Sequence, residues 1–448
     1  MGARGGRLAS DDRQDLGGHE MTDAHLTGNY APVDSERTET GLVVSGRLPA
    51  ELAGTYVRNG PNPRSGRSPH WFLGDGMLHG VRLEGGSALW YRNRWVRTPD
   101  RPMTRPDGTR DLTVGLANTH IVRHAKRLFA LVESSYPYEV TEDLDTVGCH
   151  DFAGRLRTAM TAHPKTCPDT GELHFFGYGA MRPPYVTYHR ADAAGNLTLS
   201  RGVDVPGRTM MHDFHLTTGH VVFMDLPIVF SMDRLREGTM PYAWDPSYGA
   251  RLGVLRRDDP HGDMRWFEIE PCYVFHALNA HDDGDRIVLH VMRMAEAADS
   301  SALAPKATLW RWTIDLTTGT VDEAQLDDRL GDFPRIDDRL AGHDSRFGHI
   351  VTANELVRYD LARGTSTAHV FGPGRTPDEF AFVAANDRAG GAGWLLGYVH
   401  DATTDTSDLA VHDAETLEPV AAVHLPVRVP FGFHGDWFDH VDNAGTRP

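Results

Sequence analysis

Met210-Met211-His212-Asp213-Phe214-His215 leads across Thr217-Thr218-Gly219 into Val221-Val222-Phe223-Met224-Asp225-Leu226-Pro227. Histidines stand at the end of one apolar strand, and a turn leads into the next. Both runs are short and bounded by turn residues, which favours strands over a helix. Imidazole beside buried runs of this kind points to something bound there. Three further segments share the pattern: Thr161-Ala162-His163-Pro164-Lys165, Phe275-His276-Ala277-Leu278-Asn279 and Phe433-His434-Gly435-Asp436-Trp437. Together they point to four neutral imidazoles converging on one metal ion from distant parts of the chain.

The hairpin rhythm persists along the chain. Gly85-Gly86, Thr170-Gly171, Ala194-Gly195-Asn196, Asp283-Gly284-Asp285, Thr317-Thr318-Gly319, Arg363-Gly364 and residues 389–393 each separate short runs rich in Val, Leu, Phe, Tyr, Trp or Thr. Helical candidates are few; Asp233 to Glu237 and Asp322 to Leu330 are the main ones. Many short strands at near-regular spacing indicate an all-β sandwich, barrel or propeller. Tandem sandwiches would need a linker, and no Pro/Ser-rich stretch divides the 448 residues. One propeller of four-stranded blades suits the length, with inner strands pointing histidines at a shared axis. Repeat similarity is too low for the blades to be counted. Residues 1–25 are expected to form a disordered extension, with Met21 as an alternative start, and residues 26–448 a single domain.

The charge balance, 45 basic against 62 acidic residues, gives −17 and argues against nucleic acid as partner. Cys149, Cys167 and Cys272 show no CxxC spacing, which argues against a disulfide framework or a thiolate zinc site. No apolar h-region and no apolar run of about 18 residues is present, so neither a signal peptide nor a membrane span is expected. These features suit a cytoplasmic protein with no obligate protein partner.

Four histidines without cysteine partners or an HExxH motif fit iron, zinc or copper. Most of the 25 histidines have ordinary surface or hydrogen-bonding roles, and His215, His220, His281 and His290 lie near the chosen four without being separable by spacing alone. Ligand imidazoles also need acceptors for their second ring N–H. Glu133 after Leu128-Phe129-Ala130-Leu131-Val132, Asp332 before Phe333-Pro334-Arg335-Ile336, and Glu379 before Phe380-Ala381-Phe382-Val383 are candidates, each carboxylate being costly inside an apolar run unless partnered.

The chain resembles the carotenoid cleavage oxygenase family, which includes enzymes that cleave apocarotenoids, stilbenes and isoeugenol. The matching stretches run in order from Gly28-Asn29-Tyr30-Ala31-Pro32-Val33 through Tyr56-Val57-Arg58-Asn59-Gly60-Pro61, Gly74-Asp75-Gly76-Met77, Asn118-Thr119-His120, Ala162-His163-Pro164, Met211-His212-Asp213-Phe214, Phe275-His276 and Asp332-Phe333-Pro334-Arg335 to Gly432-Phe433-His434-Gly435. The resemblance implies a seven-bladed β-propeller, capped by loops and short helices over an axial metal site. It implies Fe(II) held by His163, His212, His276 and His434. It further implies Glu133, Asp332 and Glu379 as acceptors for His212, His276 and His434 respectively, and Thr119 beside an open position on the metal.

Three departures stand out. The family usually has glutamate where Asp332 stands. Asn279-Ala280-His281-Asp282 replaces a more usual tyrosine and glutamate. Val132 occupies the place of a lysine that stilbene-type members use for a phenol oxygen. The expected reaction is oxidative cleavage of a C=C bond of a carotenoid or apocarotenoid by O₂, with a stilbene or phenylpropanoid as the alternative substrate. A silent lipid-binding propeller and a zinc hydrolase are the readings from other classes. Phe275, Phe431 and Phe433 are expected to wall an apolar tunnel, with a peripheral membrane contact for substrate uptake.

Overall fold

The computed structural model describes residues 23–237, 240–296 and 307–440. Most of the stretch expected to be a disordered extension therefore lies outside the described residues, which open with a single turn at Asp23–Leu26.

Seven antiparallel sheets surround a common axis as a seven-bladed propeller. Blade 2 comprises His120–His124, Arg127–Leu131, Tyr138–Val140 and Thr146–Cys149, ordered from the axis outward. Blades 3 to 6 repeat that order from inner strands Lys165–Thr166, Phe214–Leu216, Tyr273–Asp283 and Asp332–Arg335. The ring closes twice. In blade 1 the C-terminal strand Gly435–Asp439 pairs with Gly54–Pro61. In blade 7 the N-terminal strand Val43–Gly46 pairs with Pro419–His424.

The hairpins form for local reasons. In Asp315-Leu316-Thr317-Thr318-Gly319 the Asp315 carboxylate accepts from the Thr317 and Thr318 amides at 3.0 and 2.8 Å. Gly319 then takes φ +78°, which a side chain would strain. In blades 1, 3 and 6 the strand next to the innermost is more buried than the innermost itself. Leu173–Gly177 and Gly54–Pro61 are buried throughout, whereas the rim strand Thr365–Val370 is nearly all exposed and polar. Such a rim discourages edge-to-edge pairing with other chains.

The core lies between blades. Leu289 and Trp312 of blade 5 pack with Ile350, Val357 and Tyr359 of blade 6. Tyr56, Val81 and Tyr91 of blade 1 pack with Leu396, Tyr398 and Val423 of blade 7. Each such side chain contributes roughly 1.5–3 kcal/mol on burial, and none of that depends on a metal.

One expected helix, Met232–Arg236, is present, capped by Ser231. It sits on a ribbon of Ile228–Phe230 and Tyr242–Trp244 inserted in blade 4. The other, Asp322 to Leu330, is overturned. Thr320–Gln325 is instead the rim strand of blade 5, laddered to Thr308–Asp315. Acidic residues with alanine suit a helix in isolation, but the unpaired edge of the neighbouring strand offers a complete hydrogen-bond ladder.

Candidate metal centre

The four histidines reach the axis from four blades. His163, His212 and His434 each lie just before an inner strand, Lys165–Thr166, Phe214–Leu216 and Gly435–Asp439. His276 sits inside Tyr273–Asp283, where the pairing register slips between Val274 and Ala277. Such a bulge re-aims one side chain without ending the strand. The same device recurs at Asp332, where the slip spans Asp332 to Arg335, and at Glu379, where it spans Pro377 to Phe380.

Ring nitrogens of His163, His276 and His434 lie within 4.8 Å of one another. His212 joins them through its Nε2, 2.9 Å from Nε2 of His163. Five of the six ring pairs have centroids 4.5 to 5.3 Å apart. Thr161 ties two of the segments together, its Oγ1 accepting from the His163 amide and donating to the His212 carbonyl, each at 3.2 Å. His215, His220, His281 and His290 are outside this cluster; His220, for instance, pairs with Asp282 at 2.7 Å.

Three carboxylates stand behind the rings. His276 Nδ1 donates to Asp332 Oδ1 at 2.8 Å, and His434 Nδ1 donates to Glu379 Oε1 at 3.0 Å. His212 Nδ1 lies 2.5 Å from Glu133 Oε1, at an angle short of a regular hydrogen bond. Among the described residues no carboxylate pairs with His163. Glu379 is itself fixed by the Gly435 amide at 2.7 Å and by Arg335 at 3.7 Å. Protons held on Nδ1 leave the Nε2 lone pairs free to face inward.

Burial, then the neighbouring imidazoles, hold His163 and His434 well below the ordinary histidine range. Burial also works downward on His276, but the Asp332 carboxylate outweighs it and holds that ring above its usual value. A cluster of buried, mostly neutral imidazoles with Nε2 atoms 2.9 Å apart fits a borderline divalent cation. Among the described residues no thiolate or carboxylate joins the inner positions.

Thr119 lies at the edge of this group. Its carbonyl accepts from the His434 amide at 3.0 Å, and its Oγ1 donates to Asn118 Oδ1 at 3.0 Å. Aromatic side chains cover one face. The Phe275 ring stands 5.0 Å from His212, and Phe433 packs on Trp71 and Phe72 at 4.6 and 5.6 Å. Phe431 lies farther out, against Tyr30 and His400.

Sequence reasoning missed three contributors. Phe333 stacks on His276 at 5.4 Å and also meets His434. Tyr178 donates its phenol proton to Glu133 Oε2. His120 is a fifth imidazole, 5.1 Å from the His434 ring, with Nδ1 on the Ala162 carbonyl and a buried Nε2 that has no partner. Burial lowers it to about 3. His120 had a usable signal, an imidazole opening an apolar strand beside Thr119. Tyr178 had none, because its contact spans 45 residues.

Comparison with known proteins identifies the family. The family described as Retinal pigment epithelial membrane protein matches residues 30–439. A carotenoid cleavage oxygenase of Mycobacterium tuberculosis is 39% identical, the match covering 93% of this chain and 98% of that protein. A carotenoid 9,10(9',10')-cleavage dioxygenase of Crocus sativus is 34% identical over 92% of this chain and 88% of its own length. Among solved structures, lignostilbene dioxygenase of Pseudomonas brassicacearum superposes with a TM-score of 0.84 at 26% identity, covering 93% of this chain and 98% of that one. By sequence and by architecture, the chain belongs to the carotenoid cleavage oxygenase family.

Proposed function

We propose that the protein is an Fe(II)-dependent dioxygenase that cleaves one C=C bond of a carotenoid or apocarotenoid. Both atoms of O₂ end in the two carbonyl products, so no external reductant is needed. The observation that carries this reading is the convergence of His163, His212, His276 and His434, three of them backed by Glu133, Asp332 and Glu379. In this reading the four histidines hold the ion, and its chemistry is the binding and reduction of O₂. The protein fixes the rings, excludes water with Phe275, Phe433 and Phe333, and sets Thr119 beside the position left for O₂.

A stilbene or phenylpropanoid is the second reading, favoured by the likeness to a lignostilbene dioxygenase. Against it, Val132 is buried and presents no cation for a phenolate. A silent lipid-binding propeller would not need carboxylates behind its histidines, and a zinc hydrolase would work without O₂.

The apolar substrate is proposed to arrive from a membrane surface. No helix of the described residues is long and apolar enough to cross a membrane. Met181 and Leu235, 59% and 47% exposed, lie near the blade 4 ribbon and would make the peripheral contact. A cytoplasmic location fits this picture, and no nucleic acid or obligate protein partner enters it. The deciding experiment is mass spectrometry of products after aerobic and anaerobic incubation of the iron-loaded protein with β-carotene, an apocarotenal, resveratrol and isoeugenol. Two O₂-dependent carbonyl products from a polyene support the reading; cleavage without O₂, or of the phenols alone, overturns it.

A further inference from the structure

Blade 5 has one apolar face and one polar face. Side chains alternate along a strand, and residues opposite each other in a ladder share a face. Ala280, Leu289, Trp312 and Ile314 point one way, into the core. His281 and Asp283 of Tyr273–Asp283, His290 of Arg286–Met294 and Thr313 of Thr308–Asp315 point the other way. They line a groove of about 580 Å³, which Asp344, Leu361 and Ala362 of blade 6 border on the far side.

His290 is the fixed point of this groove. It is only 7% exposed, yet its ring has no hydrogen-bond or ion-pair partner among the described residues. A buried polar ring is costly to leave unpaired. His281 is its diagonal neighbour on the same face, because His281 stands opposite Val288. Such neighbours lie about 7 to 8 Å apart, close enough for two imidazoles to share an ion. His281 Nδ1 is in turn 4.0 Å from Asp344 Oδ1. A loop pinned to blade 5 delivers Asp344. Asn279, on the same face as His281, donates to the Leu340 and His343 carbonyls at 3.2 and 2.8 Å and accepts from the Gly342 amide at 3.1 Å. The Asp344 side chain is 81% exposed and free to turn into the groove.

Four carboxylates against two guanidiniums line the groove, which favours a cation over an anion. Arg311 stands opposite His290 but is exposed, so water and salt screen its charge. Burial, then His281 and Arg311, hold His290 down to about 4, which leaves its ring neutral at pH 7 with a lone pair to give. Two imidazoles and one carboxylate are a donor set for zinc, with a fourth position left for water.

We propose that His281, His290 and Asp344 bind a zinc-class divalent cation at the seam between blades 5 and 6, a second metal site separate from the axial one. An ion there ties the strand that carries His276 to the loop that leads into Phe347–Val351 of blade 6. The site does not depend on the functional reading, since its three donors lie outside the axial cluster.

The test titrates zinc into the iron-loaded protein under argon, with metal analysis of the desalted samples. The wild type should retain one zinc beyond its iron, at unchanged iron content. His281→Gln and His290→Gln should each weaken zinc binding roughly 10-fold or more, since losing even the partner of a ligand has an effect of that size. Asp344→Asn, a change at an exposed side chain, should do the same without disturbing the fold. Arg311→Gln should tighten zinc binding by removing a like charge. No zinc beyond the iron, zinc that enters only at the expense of iron, or equal zinc affinity in the wild type and the three donor variants overturns the proposal. So does weaker zinc binding in Arg311→Gln, the result expected of a groove that serves an anion.

Discussion

Nδ1 of His276 meets Oδ1 of Asp332 across 2.8 Å, although this carboxylate is one methylene shorter than those of Glu133 and Glu379. The backbone supplies the missing reach. The register slips between Asp332 and Arg335, and Phe333 takes φ +56°, a left-handed conformation that costs a bulky residue of order 1–3 kcal/mol. Asp332 also accepts from the Phe333 amide at 2.9 Å, which holds the kink in place. Asp332→Ala should therefore lower iron retention about 10 to 100-fold. Chelator competition followed by metal analysis measures it, and undiminished retention would show that His276 is oriented by something else.

Removing a ligand ring should separate function from folding. His434→Ala and His212→Ala are expected to abolish turnover and iron binding while thermal unfolding of the metal-free protein shifts by only a few degrees. The blades bury their cores against one another without the ion, unlike a small zinc domain. A collapse in soluble yield would refute this.

Tyr178 acts on the centre at one remove. Tyr178→Phe removes the donor to Glu133 Oε2 and frees the carboxylate to move away from His212. A roughly 10-fold rise in the rate of iron loss is expected, with the Tm of the metal-free protein shifted by no more than a few degrees. Equal iron off-rates in both proteins would count against the role.

Acid should destabilise the fold through histidines far from the metal. Burial lowers His189 and His349 to about 4 each, below the usual 6.5. The unfolded chain therefore binds more protons than the folded one between about pH 6.5 and 4. Stability is complete above pH 6.5 and falls as pH drops through that window. Tm of the metal-free protein should drop by at least ~5 °C between pH 7.5 and 5, and His349→Gln should lessen the drop. A Tm that holds or rises on acidification would contradict the assignment.

The aromatic wall divides by position. Phe275→Ala and Phe433→Ala, adjoining His212 and Trp71, should change which chain lengths are cleaved, whereas Phe431→Ala, packed on Tyr30 and His400, should change this less. Product profiles across apocarotenals of graded length decide; three identical profiles would reduce all three residues to packing.

Much of this was legible in the sequence because its signals are local. Turn residues such as Asp315 to Gly319 announce hairpins within five positions, and histidines beside apolar runs stand out against the usual surface setting. Burial does not tell His212 from its neighbour His215, which is the more buried; only the fold shows His212 facing His163 at 2.9 Å and His215 outside the cluster. What stayed illegible depends on distance along the chain. The pairing of Val43–Gly46 with Pro419–His424 leaves no mark on either segment. Thr320–Gln325 became a strand because of its neighbour's edge. Asp332 stands where the family usually has glutamate; the bulge that lets the shorter side chain reach His276, and the turned Phe333 within it, could be seen only in the fold.

The two closures also set an order of assembly. His434 follows every other member of the centre in sequence, and its strand enters blade 1 between the axis and a strand made long before. During synthesis the first three histidines, Glu133 and Glu379 emerge while the ring is still open. The four-histidine arrangement is complete only when the last strand docks. A ribosome-bound chain ending before Gly435 thus lacks both the closing strand and the finished histidine cage, so completion of the cage and ring closure become one late event rather than two.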